Sequence, residues 1–230
     1  MTQNDPIYHW EIQQGTPEWN EVRRGLITSS KMKLLITPTG KIADNDTSRG
    51  YLFELACQRM TGQNGLGYSS ELMERGVELE PFARAIYHEK VAPVRECGFV
   101  KIRAGDGYVG FSPDGVVGDD GLIEIKSRVA KHYMNTVCKG TMPDEHVIQV
   151  QTALWISDRQ WCDFITYLPG LPYCRVRVKR NEDLIRSIDR AAQIGEDRIS
   201  SLIEEFREAT RDWIPTEFIS TEITTEDIQF

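Results

Sequence analysis

The chain lacks a paired-cysteine motif, a long apolar run and a cationic leader. Its five cysteines (Cys57, Cys97, Cys138, Cys162, Cys174) are odd in number and widely spaced. Without a C-x2-C pair a zinc site is not expected, and a reducing, cytoplasmic setting is the simplest reading. No apolar stretch approaches the ~18 residues of a membrane span. Met1-Thr2-Gln3-Asn4-Asp5 offers neither a basic nor an apolar signal region, so secretion is not expected. Internal repeats and low-complexity tracts are missing. Of the four histidines, His9, His88 and His146 show no ligand spacing.

The 230 residues, 40% apolar and 27% charged, fit one soluble domain over 1–230 with a large core. The net charge of -8 argues against a uniformly basic, DNA-coating protein. Its distribution leaves local positive surface. Residues 22–41 hold Arg23, Arg24, Lys31, Lys33 and Lys41 with no acid. Residues 125–141 hold Lys126, Arg128, Lys131 and Lys139, again with no acid. Residues 203–230 carry eight acids against Arg207 and Arg211. Backbone phosphates require a positive patch, not a basic protein.

Periodicity and punctuation predict a short helix starting at 16–18, with Thr16 and Pro17 at its first turn. Thr28-Ser29-Ser30 reads as the N-cap of a short helix over 31–35, and 36–46 as a loop. Helices follow over 47–61, stopped by Gly62, and over 70–89, separated by a Gly-rich loop. Strands are expected near 98–102, 108–111, 114–117 and 122–127, then a helix over 144–157. Two more strands (161–167, 174–179) and a long helix from 182 to about 213 complete the pattern, with a polar tail beyond. This is an α/β (α+β) fold, a mixed central β-sheet flanked by helices. Trp19, Trp155 and Trp161 are expected in the core, and Trp10 can join them.

The chemistry concentrates in Ser112-Pro113-Asp114-Gly115 and Glu124-Ile125-Lys126. Side chains two apart on a strand share a face, so Glu124 and Lys126 point together while Ile123 and Ile125 point into a core. The hairpin signal Gly118-Asp119-Asp120-Gly121 returns Asp114 beside Glu124. Two hard carboxylates can hold a hard divalent cation, and an acid pair beside a lysine suits phosphodiester hydrolysis. Lys126 would then orient the attacking water, its pKa lowered by cationic neighbours and burial.

Asp114 with Glu124-Ile125-Lys126 resembles the PD-(D/E)xK nuclease signature. Trp19, Arg23, Gly25, Ile27-Thr28 and Ser30 resemble the W-x3-R-x-G-x-I-T-x-S block of the phage lambda exonuclease (YqaJ-type viral recombinase) family. Gly76 to Glu80 resembles its G-x3-E helix, and Gln149-Val150-Gln151 completes the series. These ordered blocks span about 15–157, with strands, long helix and acidic tail over 158–230. The scattered cysteines argue against relatives with a four-cysteine iron–sulfur cluster.

The resemblance implies a restriction-endonuclease-like core binding Mg2+, with Mn2+ as an alternative. Asp114, Glu124, the Ile125 carbonyl and Glu80 would be the ligands, with Gln151 holding Lys126 or the water. Arg23, Ser30 and Ser112 would form a pocket for a 5′-phosphate, Ser30 aided by a helix N-terminus. Where the family has a further Arg, this chain has His132, beside Lys131 and near Arg128. Met73 aligns with an apolar residue that wedges between strands, and Met73, Arg128 and Lys41 are candidate DNA contacts. The implied activity is a 5′→3′ exonuclease on double-stranded DNA ends in a phage or prophage recombination system. A homotrimeric ring and a single-strand annealing recombinase partner come with it. A DNA endonuclease on the same core, a non-catalytic end-binding module, and a merely polar strand face at 124–126 stay open as alternatives.

Overall fold

A computed structural model describes residues 5–64, 71–127 and 130–217, with only the backbone of 71–77. In chain order the elements are β1 (Ile7–His9), α1 (Pro17–Arg23), β2 (Ile27–Thr28), α2 (Asp46–Thr61) and α3 (Glu71–Lys90). Then come β3 (Phe99–Ala104), β4 (Gly107–Phe111), β5 (Gly115–Val117), β6 (Gly121–Ser127) and α4 (Ala130–Lys139). Last are α5 (Val147–Ser157), β7 (Trp161–Tyr167), β8 (Cys174–Lys179) and α6 (Glu182–Ala209). No helix among the described residues is long and apolar enough to cross a membrane.

Local chemistry explains the element ends. Thr16 caps α1 by accepting the Trp19 N–H, with Pro17 in the first turn. Asn45 and Ser48 form a capping box at the start of α2, each side chain accepting the other's backbone N–H at 3.0 Å. Gly62 ends α2 at φ +67°, in the left-handed region. The helix expected over 31–35 is instead a single 3-10 turn, Met32–Leu34, preceded by Lys31 and with no side-chain cap. That correction removes the helix N-terminus invoked for Ser30.

The strands form the expected mixed α/β fold, and among the described residues they are divided into two four-stranded sheets. The first has the order β1-β3-β4-β2, antiparallel except for the parallel β2–β4 pair. The second has the order β5-β6-β7-β8, with β6 and β7 parallel between antiparallel neighbours. A single antiparallel bridge joins Arg95 to Val116 of β5, apart from the strand ladders.

β6 is inner to the second sheet and buried on both faces, which a parallel neighbour demands. Ile123 and Ile125 pack with Ile165 against Ala83 and Tyr87 of α3. Leu122, Phe164 and Cys162 face the main apolar cluster, which also takes in Ile148, Leu154 and Ile156 of α5 and Ile188 and Ile199 of α6. Burying a side chain such as Phe164 or Leu154 contributes about 2–3 kcal/mol. The even positions of β6 therefore look toward α5, and that is the face bearing Glu124 and Lys126.

Candidate active site

The hairpin brings Asp114 onto β6 as expected. Asp114 immediately precedes β5, which pairs with β6 in the register Gly115↔Ile123. Its Oδ2 accepts the Ile125 N–H at 2.5 Å. Glu124 is 6% exposed. Its Oε1 lies 2.5 Å from Lys126 Nζ and accepts from Gln149 Nε2 at 2.6 Å. Glu80, on α3, completes the group and forms an ion pair with Arg84. Arg84 also donates to the Asp114 carbonyl at 2.6 Å and to Glu96 at 2.7 Å.

The carboxylates sense one another. Burial first, then the charges of Glu124 and Glu80, push the Asp114 carboxyl well above its ordinary range. Burial likewise raises Glu80, against the pull of Arg84. The Lys126 ammonium stands beside the Glu124 carboxylate and acts on the charges of Glu80 and Asp114, so its described surroundings include carboxylates.

Among the described residues no three His, Cys, Asp or Glu side chains converge as a ready-made metal cage. The donor chemistry nevertheless fits a hard divalent cation. Three carboxylates repel one another, and Glu124 Oε2 and Asp114 Oδ1 accept no hydrogen bond among the described residues. A doubly charged oxygen-seeking ion would relieve that repulsion.

Gln151 does not reach this cluster. Its Nε2 donates to the Lys179 carbonyl at 2.9 Å and its Oε1 accepts the Asn181 N–H at 2.8 Å, so it ties α5 to the β8–α6 junction. Gln149, in the same motif, is the one whose amide reaches the Glu124 carboxylate, where the sequence leads one to expect Gln151.

The second group of residues surrounds Trp19. The indole N–H donates to the Gly98 carbonyl at 3.1 Å and to Ser112 Oγ at 2.9 Å, so Trp19 is a polar scaffold more than a core residue. The Arg23 guanidinium lies over its ring, 3.7 Å from the centroid. Burial lowers the Arg23 pKa to about 10, and its Nε is buried with no hydrogen-bond partner among the described residues. Arg23 makes no ion pair with a carboxylate among the described residues. It lines a cavity of about 200 Å³ with Arg24, Thr28, Lys31, Tyr51 and Gln58, among others. Ser30 is exposed, its Oγ 3.5 Å from Thr28 Oγ1.

Lys131 and His132 are exposed on α4, and Lys41 is exposed between the bridged residues Ile36 and Ile42. Arg128 and the side chain of Met73 lie outside the described residues. Trp10 is half-buried, stacked on Tyr8 at 4.9 Å, with Arg95 over its ring at 3.7 Å.

The model of the YqaJ-like viral recombinase domain matches residues 18–160, well over half of the chain. The chain belongs to that family. Among solved structures, the alkaline exonuclease LHK-Exo from Laribacter hongkongensis is 33% identical with a TM-score of 0.75, covering 86% of this chain and 100% of its own. LHK-Exo in complex with dAMP is 35% identical with a TM-score of 0.76 over the same shares. A phage-related exonuclease from Haemophilus somnus shares the fold at 17% identity, with a TM-score of 0.59 over 79% of this chain and 96% of that one. No curated protein matches. The PD-(D/E)xK-like fold expected for this YqaJ-family chain is the one observed.

Proposed function

We propose that the chain is a Mg2+-dependent 5′→3′ exonuclease that degrades one strand of double-stranded DNA from 5′-phosphorylated ends. It releases mononucleotides and leaves 3′ single strands for annealing-type recombination. The observation that carries this reading is the cluster of Asp114, Glu124 and Lys126, anchored by the Ile125 N–H and by Gln149. The family and the exonuclease relatives support it, and a relative bound to dAMP holds the kind of molecule such a reaction releases.

Asp114, Glu124, the Ile125 carbonyl and Glu80 would hold the cation, Mg2+ or alternatively Mn2+. A divalent ion held there would activate a water and offset charge developing on the phosphoryl group. Gln149 fixes the Glu124 carboxylate. Lys126 stands beside Glu124, where its ammonium orients the water and offsets negative charge in the transition state. Arg23, half-buried and without a carboxylate partner among the described residues, offers a planar fork for the 5′-phosphate. Ser112, Ser30 and Thr28 stand near it, and Lys131, His132 and Arg128 would supply the further cation, with Met73 and Lys41 on the DNA path. A homotrimeric ring, a single-strand annealing recombinase as partner and a cytoplasmic, phage-derived setting complete the proposal. Sedimentation would then give three times 26.3 kDa.

Linear duplex DNA labelled separately at each end, with closed circular plasmid alongside, tests the reaction. Loss of the 5′ label as mononucleotide with intact circles, abolished in Lys126→Ala, is expected. Nicked circles would instead establish an endonuclease. Bound but uncut linear DNA would leave an end-binding module.

A further inference from the structure

Arg23 stands two residues before Gly25, and Gly25 is gripped on both sides by α2. Its N–H donates to Gln58 Oε1 at 2.9 Å, and its carbonyl accepts from Arg59 Nε at 2.7 Å. Gly25 has φ +66°, and a Cβ there would lie 2.6 Å from Arg59 Cγ. Both the backbone conformation and the close approach of Arg59 demand glycine.

Arg59 in turn reaches α6. Its Nη2 donates to Glu196 Oε1 at 2.8 Å and lies 2.8 Å from Oε2. Glu196 is 1% exposed. Its carboxylate rests on Gly107 at the start of β4, where an added Cβ would come within 1.9 Å of Oε2. Gln58 also donates to Glu54 at 3.2 Å, and both line the cavity beside Arg23. A buried ion pair stabilises a fold little, because desolvation offsets the attraction. What this pair does supply is fixed geometry for the peptide that follows α1.

We propose that Glu196, acting through Arg59 and Gly25, is a positioning residue for 5′-phosphate recognition. The pair from α2 and α6 holds the bend after α1 where it keeps Arg23 on Trp19 and facing the cavity. The inference rests on the reading of Arg23 as a phosphate-binding group. Glu196 and Arg59 touch none of the reacting groups, so their effect is confined to selection of the end.

The test compares kcat and KM on linear duplexes with 5′-phosphoryl or 5′-hydroxyl ends for Glu196→Gln, Arg59→Gln, Arg23→Ala and Arg23→Ala with Glu196→Gln. Thermal melting of each variant runs beside it. A displacement near 1 Å can cost up to about a hundredfold, so Glu196→Gln should lower the phosphoryl preference about tenfold through KM, with the 5′-hydroxyl rate unchanged. Arg23→Ala should abolish the preference, and adding Glu196→Gln should take nothing further from it, because coupled residues are not additive. The glutamine keeps the shape of the glutamate, so a folding failure is not built into the test. Equal slowing on both ends, or losses that multiply in the double variant, would mean a merely structural pair and overturn the proposal. An intact phosphoryl preference in Arg23→Ala would overturn the pocket reading first, and the proposal with it.

Discussion

Gln149 and Gln151 stand two residues apart on α5, yet one bonds Glu124 and the other the β8–α6 junction. Successive residues turn by about 100°, so positions i and i+2 look to nearly opposite sides of a helix. Sequence alone gives the pair but not the roll of the helix, which is why the motif was legible and the choice within it was not. Gln149→Ala should lower kcat about 10- to 100-fold at unchanged melting temperature, as loss of a residue that orients a ligand does. Gln151→Ala should do the reverse. It strands the Asn181 N–H and the Lys179 carbonyl and costs about 1–3 kcal/mol in urea unfolding, with kcat of the folded enzyme retained. Asp114 gives a second test. Its carboxyl is raised in the fold, so the folded chain holds a proton that the unfolded chain releases. That contribution to stability is complete below the unfolded carboxylate value near 4 and is lost as pH rises through the folded one. Metal-free protein should therefore lose stability as pH climbs out of the acid range. Asp114→Asn should flatten that fall and stabilise the metal-free protein by about 1 kcal/mol while abolishing cleavage. A melting curve against pH that is the same in both proteins would contradict this.

The strands and helices that carry strong periodicity were readable: 47–61 matches α2 within a residue, and β6, β7, β8 and α6 fall where alternation and the apolar stripe put them. β1 and β2 were missed because three and two residues show no period. α4 was missed because its basic residues were read as charge alone, although Tyr133 and Thr136 bury one face at i, i+3 spacing. The division of the strands into two sheets is a matter of long-range pairing that no local signal reports. Nor does local signal reveal the hub joining β7, β8 and α3. Asp163, fully buried, accepts from Arg177 Nε at 2.7 Å, Arg175 at 2.8 Å and the Tyr87 hydroxyl at 2.6 Å. Burial would raise its carboxyl, but these bonds outweigh it and hold the group below its usual range. Asp163→Ala should cost about 3 kcal/mol, the low end for a broken buried pair, because both guanidiniums can turn to water. Tyr87→Phe should cost about 1 kcal/mol. Denaturant midpoints measure both, and an unchanged midpoint for Asp163→Ala would show that the hub does not hold these elements together.

At the scale of the whole molecule, the negative charge is concentrated on α6 and positive charge gathers at the Arg23 cavity. α6 carries eight acids against four arginines, half of the net charge of -8. Glu204, Glu205 and Glu208 stand exposed on its last turns. Arg23, Arg24 and Lys31 gather instead around the cavity beside Trp19, with Glu54 as the acid on its lining. Under the proposed function, this arrangement would repel duplex DNA from α6 and admit it where phosphates meet the guanidinium groups, which would favour ends over interior stretches. Replacing Glu204, Glu205 and Glu208 with glutamine removes three negative charges far from Asp114 in the chain. Closed circular DNA, which offers no end, should then bind the variant more tightly and become a better competitive inhibitor at low salt. At about 0.2 M salt the difference should shrink, because exposed charges are screened within roughly 10 Å. The kcat on 5′-phosphoryl ends should not change. If circles inhibit the variant and the parent equally at low salt, the acidic helix has no part in steering, and end selection rests on the Arg23 cavity alone.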